Sequence, residues 1–184
     1  AKPDNGVGAS HNFKIKTDEE LVDFYGQRHE GVVYIMEEFV NGIVNSYDAI
    51  IDSNGEPLFE TGNVTLSNLM EVVNTLDNSL YFIHKELPED TRAAGRATVK
   101  SFGVTSRFVH FEFFLLIEDI PSIGPKGTVA GLEVNMRPSG GYSPDMYNFA
   151  NECDVYKIWA DMIAFNKNTM PMDRPHHFAA FCGR

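Results

Sequence analysis

The sequence predicts an α+β fold, an antiparallel sheet flanked by helices, and three observations predict it. Asp52-Ser53-Asn54-Gly55 separates the runs Asn45 to Ile51 and Glu56 to Thr61, which is a hairpin signal. Arg107 to Ile117 is the strongest strand in the chain, and a second, Val129 to Met136, follows it after Pro121, Gly124 and Pro125. Helical spacing of apolar residues marks further stretches between and around these strands.

In chain order, Lys2 to Ser10 is rich in glycine and turn formers and reads as a loop. Phe13 to Lys16 alternates like a short strand. Thr17 and Glu20 fit a capping box for a helix from Asp18 to Arg28, with Leu21, Phe24 and Tyr25 at helical spacing. Val32 to Val40 reads as a buried strand. Leu66 to Leu76 is ambiguous, because its apolar spacing is helical while Asn and Thr weaken it. Leu80 to His84 fits a short strand. Pro88 opens a helix to Phe102 that Gly103 closes. Asp145 to Phe165 reads as one helix, with Ser143 as cap and Pro144 in the first turn. Nothing after Asn166 has a clear period.

A chain of 184 residues can build one compact domain with a real core. No run approaches the roughly 20 apolar residues that span a bilayer. The formal net charge of −11 disfavours nucleic acid. It leaves room for a phosphate ligand that arrives with Mg²⁺, because clustered carboxylates hold that metal. Cys153 and Cys182 cannot form a disulfide framework and suit free thiols in a reducing cytoplasm. Ala1-Lys2-Pro3, with no initiating Met, and the abrupt Phe181-Cys182-Gly183-Arg184 are expected to be the ends of a piece cut from something longer.

Side chains alternate faces along a strand. In the first strong strand, Val109, Phe111, Phe113, Leu115 and Ile117 share an apolar face, while His110 and Glu112 lie on the other among Phe108, Phe114 and Leu116. A carboxylate in so apolar a strand is costly unless paired, protonated or bound to metal. In the second strand, Leu132, Val134 and Met136 oppose Glu133, Asn135 and Arg137. Were Glu112 opposite Glu133 in a hairpin, the turn would centre between Ser122 and Ile123, where the chain breakers lie. That pairing gathers Glu112, Glu133 and Asn135 on one face, an oxygen set suited to Mg²⁺ beside phosphate. Half-buried carboxylates neutralised by His110, Arg107 or Arg137 would give the same spacing, so both readings stand.

Pro138-Ser139-Gly140-Gly141 precedes a helix, where backbone N–H groups can meet an anion or simply form a loop. Lys2 stands before its glycines, the reverse of a Walker loop, an order that suits a flap folding over phosphates. Glu37-Glu38-Phe39-Val40 ends the expected buried strand and can either face an adenine edge or emerge into solvent.

Four ordered segments resemble the ATP-grasp superfamily, which includes biotin carboxylase, carbamoyl phosphate synthetase and D-alanine ligase. They are Lys2-Pro3-x-x-Gly6-x-Gly8-Ala9, Met36-Glu37-Glu38-Phe39-Val40-x-Gly42, His110-x-Glu112-Phe113 and Glu133-x-Asn135-x-Arg137-Pro138-x-Gly140-Gly141. The resemblance covers residues 1 to about 165 and implies an ATP-grasp fold with part of its smaller, flap-bearing subdomain. Residues 1–40 would be that part, 41–165 the large subdomain, and 166–184 an irregular tail.

The resemblance also implies roles. Lys2 would contact ATP phosphates beneath a flap containing Gly6 and Gly8, and Glu37, with the backbone of Glu38 and Val40, would hold adenine. Glu112 and Glu133 would bind Mg²⁺ or Mn²⁺, with Glu133 bridging two ions and Asn135 on the second. Arg137 would steady the transferred phosphate, and Gly140 and Gly141 would shape the acceptor pocket. The implied activity is an ATP-dependent ligase that activates a small carboxylate as an acylphosphate for attack by an amine or similar nucleophile.

Two departures bear on this. Val44 stands where many relatives carry an acid for the ribose hydroxyls, and the stretch from Glu112 to Glu133 is longer than usual. The preceding domain and the first phosphate-binding lysine are absent, so the fragment alone is expected to be an incomplete catalyst that needs the missing amino-terminal part of its own chain. An ATP-grasp kinase-type phosphotransferase and a non-catalytic nucleotide-binding or structural module are the alternatives. The oligomeric state stays open, a homodimer included. His176, His177 and Cys182 match no zinc-finger spacing.

Overall fold

The computed structural model describes residues 1–4, 11–66 and 79–183. Near the amino terminus, β1 (Lys2–Pro3) pairs antiparallel with β2 (Tyr34–Ile35), and α1 (Asp18–Gln27) lies between them in sequence. Thr17 caps α1 by accepting from the Glu20 N–H, but the Glu20 carboxylate accepts from the Lys16 N–H, one residue short of a reciprocal capping box.

The remaining strands form one sheet: β3 (Gly42–Ile51), β4 (Pro57–Thr61), β5 (Asn63–Thr65), β6 (Ser79–Ile83), β7 (Arg107–Leu116), β8 (Val129–Asn135) and β9 (Ala179–Gly183). Their order is β8-β7-β3-β5-β6-β9, β4 also lies against β3, and every pairing is antiparallel. The central strand β3 pairs with β7 from Gly42 opposite Leu116 to Ile51 opposite Arg107. The expected hairpin closes with the Asp52 N–H donating to Glu56 O at 2.8 Å and Gly55 at φ +84°.

Both faces of the sheet carry helices. On one, Tyr47, Ala49, Ile51, Val109, Phe111 and Phe113 pack with Val99 of α2 (Glu89–Ser101). On the other, Ile50, Phe59 and Phe108 pack under α3 (Ser143–Asn151) and α4 (Val155–Phe165) through Tyr147, Ala150, Ile158 and Met162. Burying one such large side chain fully contributes about 2 kcal/mol. Two glycines set the spacing of these layers. A Cβ at Gly95 of α2 would stand 2.2 Å from the Tyr47 ring, and one at Gly62, between β4 and β5, 2.2 Å from Ser46 O. Only a hydrogen fits at either place.

Several expectations are corrected. The expected helix Asp145–Phe165 is two helices: Glu152 adopts a left-handed conformation, Asn148 Oδ1 takes the Val155 N–H, and Asp154 caps α4 at the Lys157 N–H. Ser143 is inside α3, whose cap position is Tyr142. The expected buried strand Val32–Val40 keeps only Tyr34–Ile35, because β1 is its partner for just two residues; Val33, Met36 and Phe39 stay exposed. Phe13–Lys16 is not a strand. After Asn166, Ala179–Gly183 joins the sheet edge as β9 beside β6, where Phe181 stacks on Tyr81. The ambiguous Leu66–Leu76 stretch lies, beyond Leu66, outside the described residues. No helix among the described residues is long and apolar enough to cross a membrane.

Candidate functional site

The strand pair β7–β8 has the register that the turn position suggests. Glu112 is opposite Glu133 and His110 is opposite Asn135, so all four lie on one face. The connection is tied back on itself where Ile120 bridges to Gly124, around Ser122. Between Glu112 and Phe113 the register shifts, and Phe113 faces Gly131. Such a bulge adds local twist and re-aims the side chains beside it. Glu133 is exposed, Asn135 half-buried, and the Glu112 side chain retains 17% of its exposure, so the group opens to solvent instead of being sealed in the core.

Beneath Glu112 lies a buried polar network on β3, β5 and β7. His110 Nδ1 is 2.8 Å from Asp48 Oδ1, and His110 Nε2 is 3.3 Å from Glu112 Oε1. The Ser46 hydroxyl donates to Asp48 Oδ2 and accepts from the Asn63 N–H at 2.9 Å. Burial works against a charged His110, but Asp48 and then Glu112 outweigh it and push its pKa up to about 10. Burial likewise opposes charge on Glu112, yet His110 foremost, then Glu133 and Arg137, hold its carboxyl below the usual range. The Tyr147 hydroxyl comes down from α3, fully buried, close enough to Asp48 to feel its charge and without an aligned hydrogen bond.

Do these residues fit a cation? Two carboxylates and the Asn135 amide oxygen make a hard donor set, and the buried Asn135 Nδ2, a donor without a hydrogen-bond partner, suits a phosphate oxygen and not the cation itself. Among the described residues no three His, Cys, Asp or Glu side chains gather to hold a metal. A cation held by these residues would have at most a partial shell, which phosphate and water would have to complete. The set fits Mg²⁺ or Mn²⁺ bound together with a phosphate ligand.

Arg137 follows β8, exposed, with its guanidinium donating to Pro138 O at 3.0 Å. Gly141, at φ +61°, needs its glycine; a Cβ at Gly140 would meet nothing within 4 Å. The nucleotide-side candidates form a second group. Lys2 Nζ is 2.5 Å from Glu37 Oε2, and Glu38 accepts a hydrogen bond from the Ser122 hydroxyl on the β7–β8 connection. Glu37 and Glu38 are exposed in irregular chain and Val40 is half-buried, not at the end of a buried strand. Gly6 and Gly8 lie outside the described residues. Among the described residues, no hydrogen bond or ion pair joins Lys2 or Glu37 to Glu112 or Glu133.

Asp48, Ser46 and Tyr147 are the residues that sequence reasoning missed. The signal was present for the first two: Ser46 and Asp48 alternate with Tyr47 and Ala49 as His110 and Glu112 alternate with Val109 and Phe111. Cys153 and Cys182 are both free thiols. His176 and His177 turn to Lys85 O and Glu152 respectively, so the carboxyl-terminal histidines do not converge.

The antiparallel sheet between helices matches the fold of solved ATP-grasp proteins. The structure is similar to phosphoribosylglycinamide synthetase from Anaerococcus prevotii, with a TM-score of 0.58 and 16% identity over 90% of this chain. It is also similar to the biotin carboxylase domain of thermophilic 2-oxoglutarate carboxylase bound to bicarbonate, with a TM-score of 0.52 and 15% identity over 90% of this chain. At such identity the likeness is one of fold. The chain spans 41% and 37% of the length of those two proteins. No protein-family profile and no curated protein sequence matches it.

Proposed function

We propose that this chain is the ATP- and Mg²⁺-binding part of a ligase that activates a small carboxylate. The observation that carries the reading is the register of β7 and β8, which sets Glu112 against Glu133, with Asn135 two residues further on the same open face. The fold, and the resemblance of its motifs to the ATP-grasp superfamily, support it.

On this reading Glu112, Glu133 and Asn135 hold Mg²⁺ or Mn²⁺, and Lys2, Glu37, Glu38 and Val40 hold the nucleotide under a flap containing Gly6 and Gly8. A bound Mg²⁺ would supply charge neutralisation on the moving phosphoryl group. Arg137 adds a fixed cation beside the same oxygens, and Gly140 and Gly141 leave space for the acceptor. The terminal phosphoryl group of ATP passes to a carboxylate oxygen, leaving ADP and an acylphosphate. An amine or similar nucleophile then attacks the carbonyl carbon, and inorganic phosphate departs with its electron pair. No covalent protein nucleophile is required.

Residues 1–40 would belong to the smaller subdomain and 41–165 to the larger. The free thiols suit a reducing cytoplasm. Phosphate release from ATP by the protein at its full natural length tests the reading. Release is expected only when a carboxylate and an amine are both supplied; release that needs neither, or stable phosphorylation of an acceptor with no ligation, would contradict a ligase.

A further inference from the structure

We infer that Asp48, acting through His110, is a positioning residue for the Glu112 carboxylate and so governs how tightly the β7–β8 face holds a divalent cation. The inference rests on reading Glu112 and Glu133 as cation ligands. Asp48 has no exposed surface and sits in the central strand two residues from Ile50, a core side chain. Removing a carboxylate from water costs several kcal/mol, and packing alone would be served better by an apolar residue there. Its placement is tightly held. The Ser46 hydroxyl engages Oδ2, the Asn63 backbone N–H engages that hydroxyl in turn, and Oδ1 faces His110 Nδ1 at 2.8 Å.

The imidazole is therefore held at one nitrogen by a carboxylate that cannot move, and its other nitrogen is 3.3 Å from Glu112 Oε1. The ring thus stands between the two carboxylates, one at each nitrogen. It lies within ion-pair distance of one oxygen of Glu112, and the strand register puts Glu133 opposite that residue. This chain of contacts continues from the rigid centre of the sheet to a group at its open edge. Outer-shell partners of this kind orient a ligating group, and their loss typically costs 10- to 100-fold in metal affinity.

The test uses Mn²⁺ as probe, titrated into the 184-residue chain with ATP and followed by the electron paramagnetic resonance signal of the free ion. Asp48→Asn, which keeps shape and size, is expected to weaken Mn²⁺ binding about tenfold. Glu112→Gln should weaken it at least as much, and the double variant no more than Glu112→Gln alone. His110→Gln, which leaves Asp48 held by Ser46, should repeat both the loss and the non-additivity, and it replaces Asp48→Asn should that variant not fold. Wild-type affinity in Asp48→Asn and His110→Gln, or losses that add to that of Glu112→Gln, would overturn the positioning role while leaving the cation site in place. A wild-type chain that takes up no Mn²⁺ with ATP, or whose uptake ignores Glu112→Gln, would overturn the site itself and this inference with it.

Discussion

Glu60 illustrates at the residue scale how this acidic protein keeps a carboxylate in its interior. Its side chain is 9% exposed and accepts from Tyr47 Oη at 2.7 Å, from Arg92 Nη1 at 3.0 Å and from Arg96 Nε at 2.9 Å. Burial acts to raise its pKa, but Arg96, Tyr47 and Arg92 outweigh it and hold it below the ordinary carboxylate range. The folded value is depressed, so the stabilisation is fully present above the unfolded value and is lost as pH falls through the folded one. Glu60→Gln should cost about 2 kcal/mol at neutral pH, in line with hydrogen bonds to charged groups. Thermal melts should then show the wild type losing stability more steeply than Glu60→Gln as the pH falls below about 4. Parallel decline of the two proteins would contradict the role given to Glu60.

The helices supply a paired test at the element scale. Alanine is the better helix former by about 1 kcal/mol over glycine. At Gly26 in α1 a Cβ meets nothing within 4 Å, so Gly26→Ala should stabilise by roughly that amount. At Gly95 in α2 the same Cβ would collide with the Tyr47 ring, which has no room to yield beneath the helix. Gly95→Ala should therefore destabilise by about 1–3 kcal/mol despite its better propensity. Urea unfolding of the two variants reads both signs, and a gain at Gly95 would mean that α2 does not pack on Tyr47 as described.

Elements also show where the sequence could and could not be read. The pairing of β7 and β8 was legible because apolar alternation defined both strands and the chain breakers fixed the turn between them. The break in Asp145–Phe165 was not, since apolar spacing continues across it; the interruption comes from a left-handed Glu152 and from the Asn148 and Asp154 side chains, which hydrogen-bond the next turn. Val32–Val40 has the composition of a buried strand, but burial depends on partners, and a sequence does not display its partners. Asp48 was overlooked for a related reason. Its meaning lies in the histidine that faces it, 62 positions along the chain.

For the whole molecule, the sheet divides its labour between its faces. The α2 face is a core of Tyr47, Ile51, Val109, Phe111 and Phe113, and the opposite face carries apolar packing under α3 and α4 beside the polar strip from Ser46 to Glu133. One rigid sheet thus serves both as core and as platform for the open acidic edge. The fold and the pairing of the key strands were readable in advance, whereas the network beneath them needed the tertiary contacts. Calorimetric titration of ATP into the chain, with Mg²⁺ and again with a chelator, tests the central claim most directly. Binding heat is expected only with Mg²⁺ present, and Glu133→Gln should abolish most of it. Equal heat with the chelator, or undiminished heat in Glu133→Gln, would contradict a cation site on the β7–β8 face.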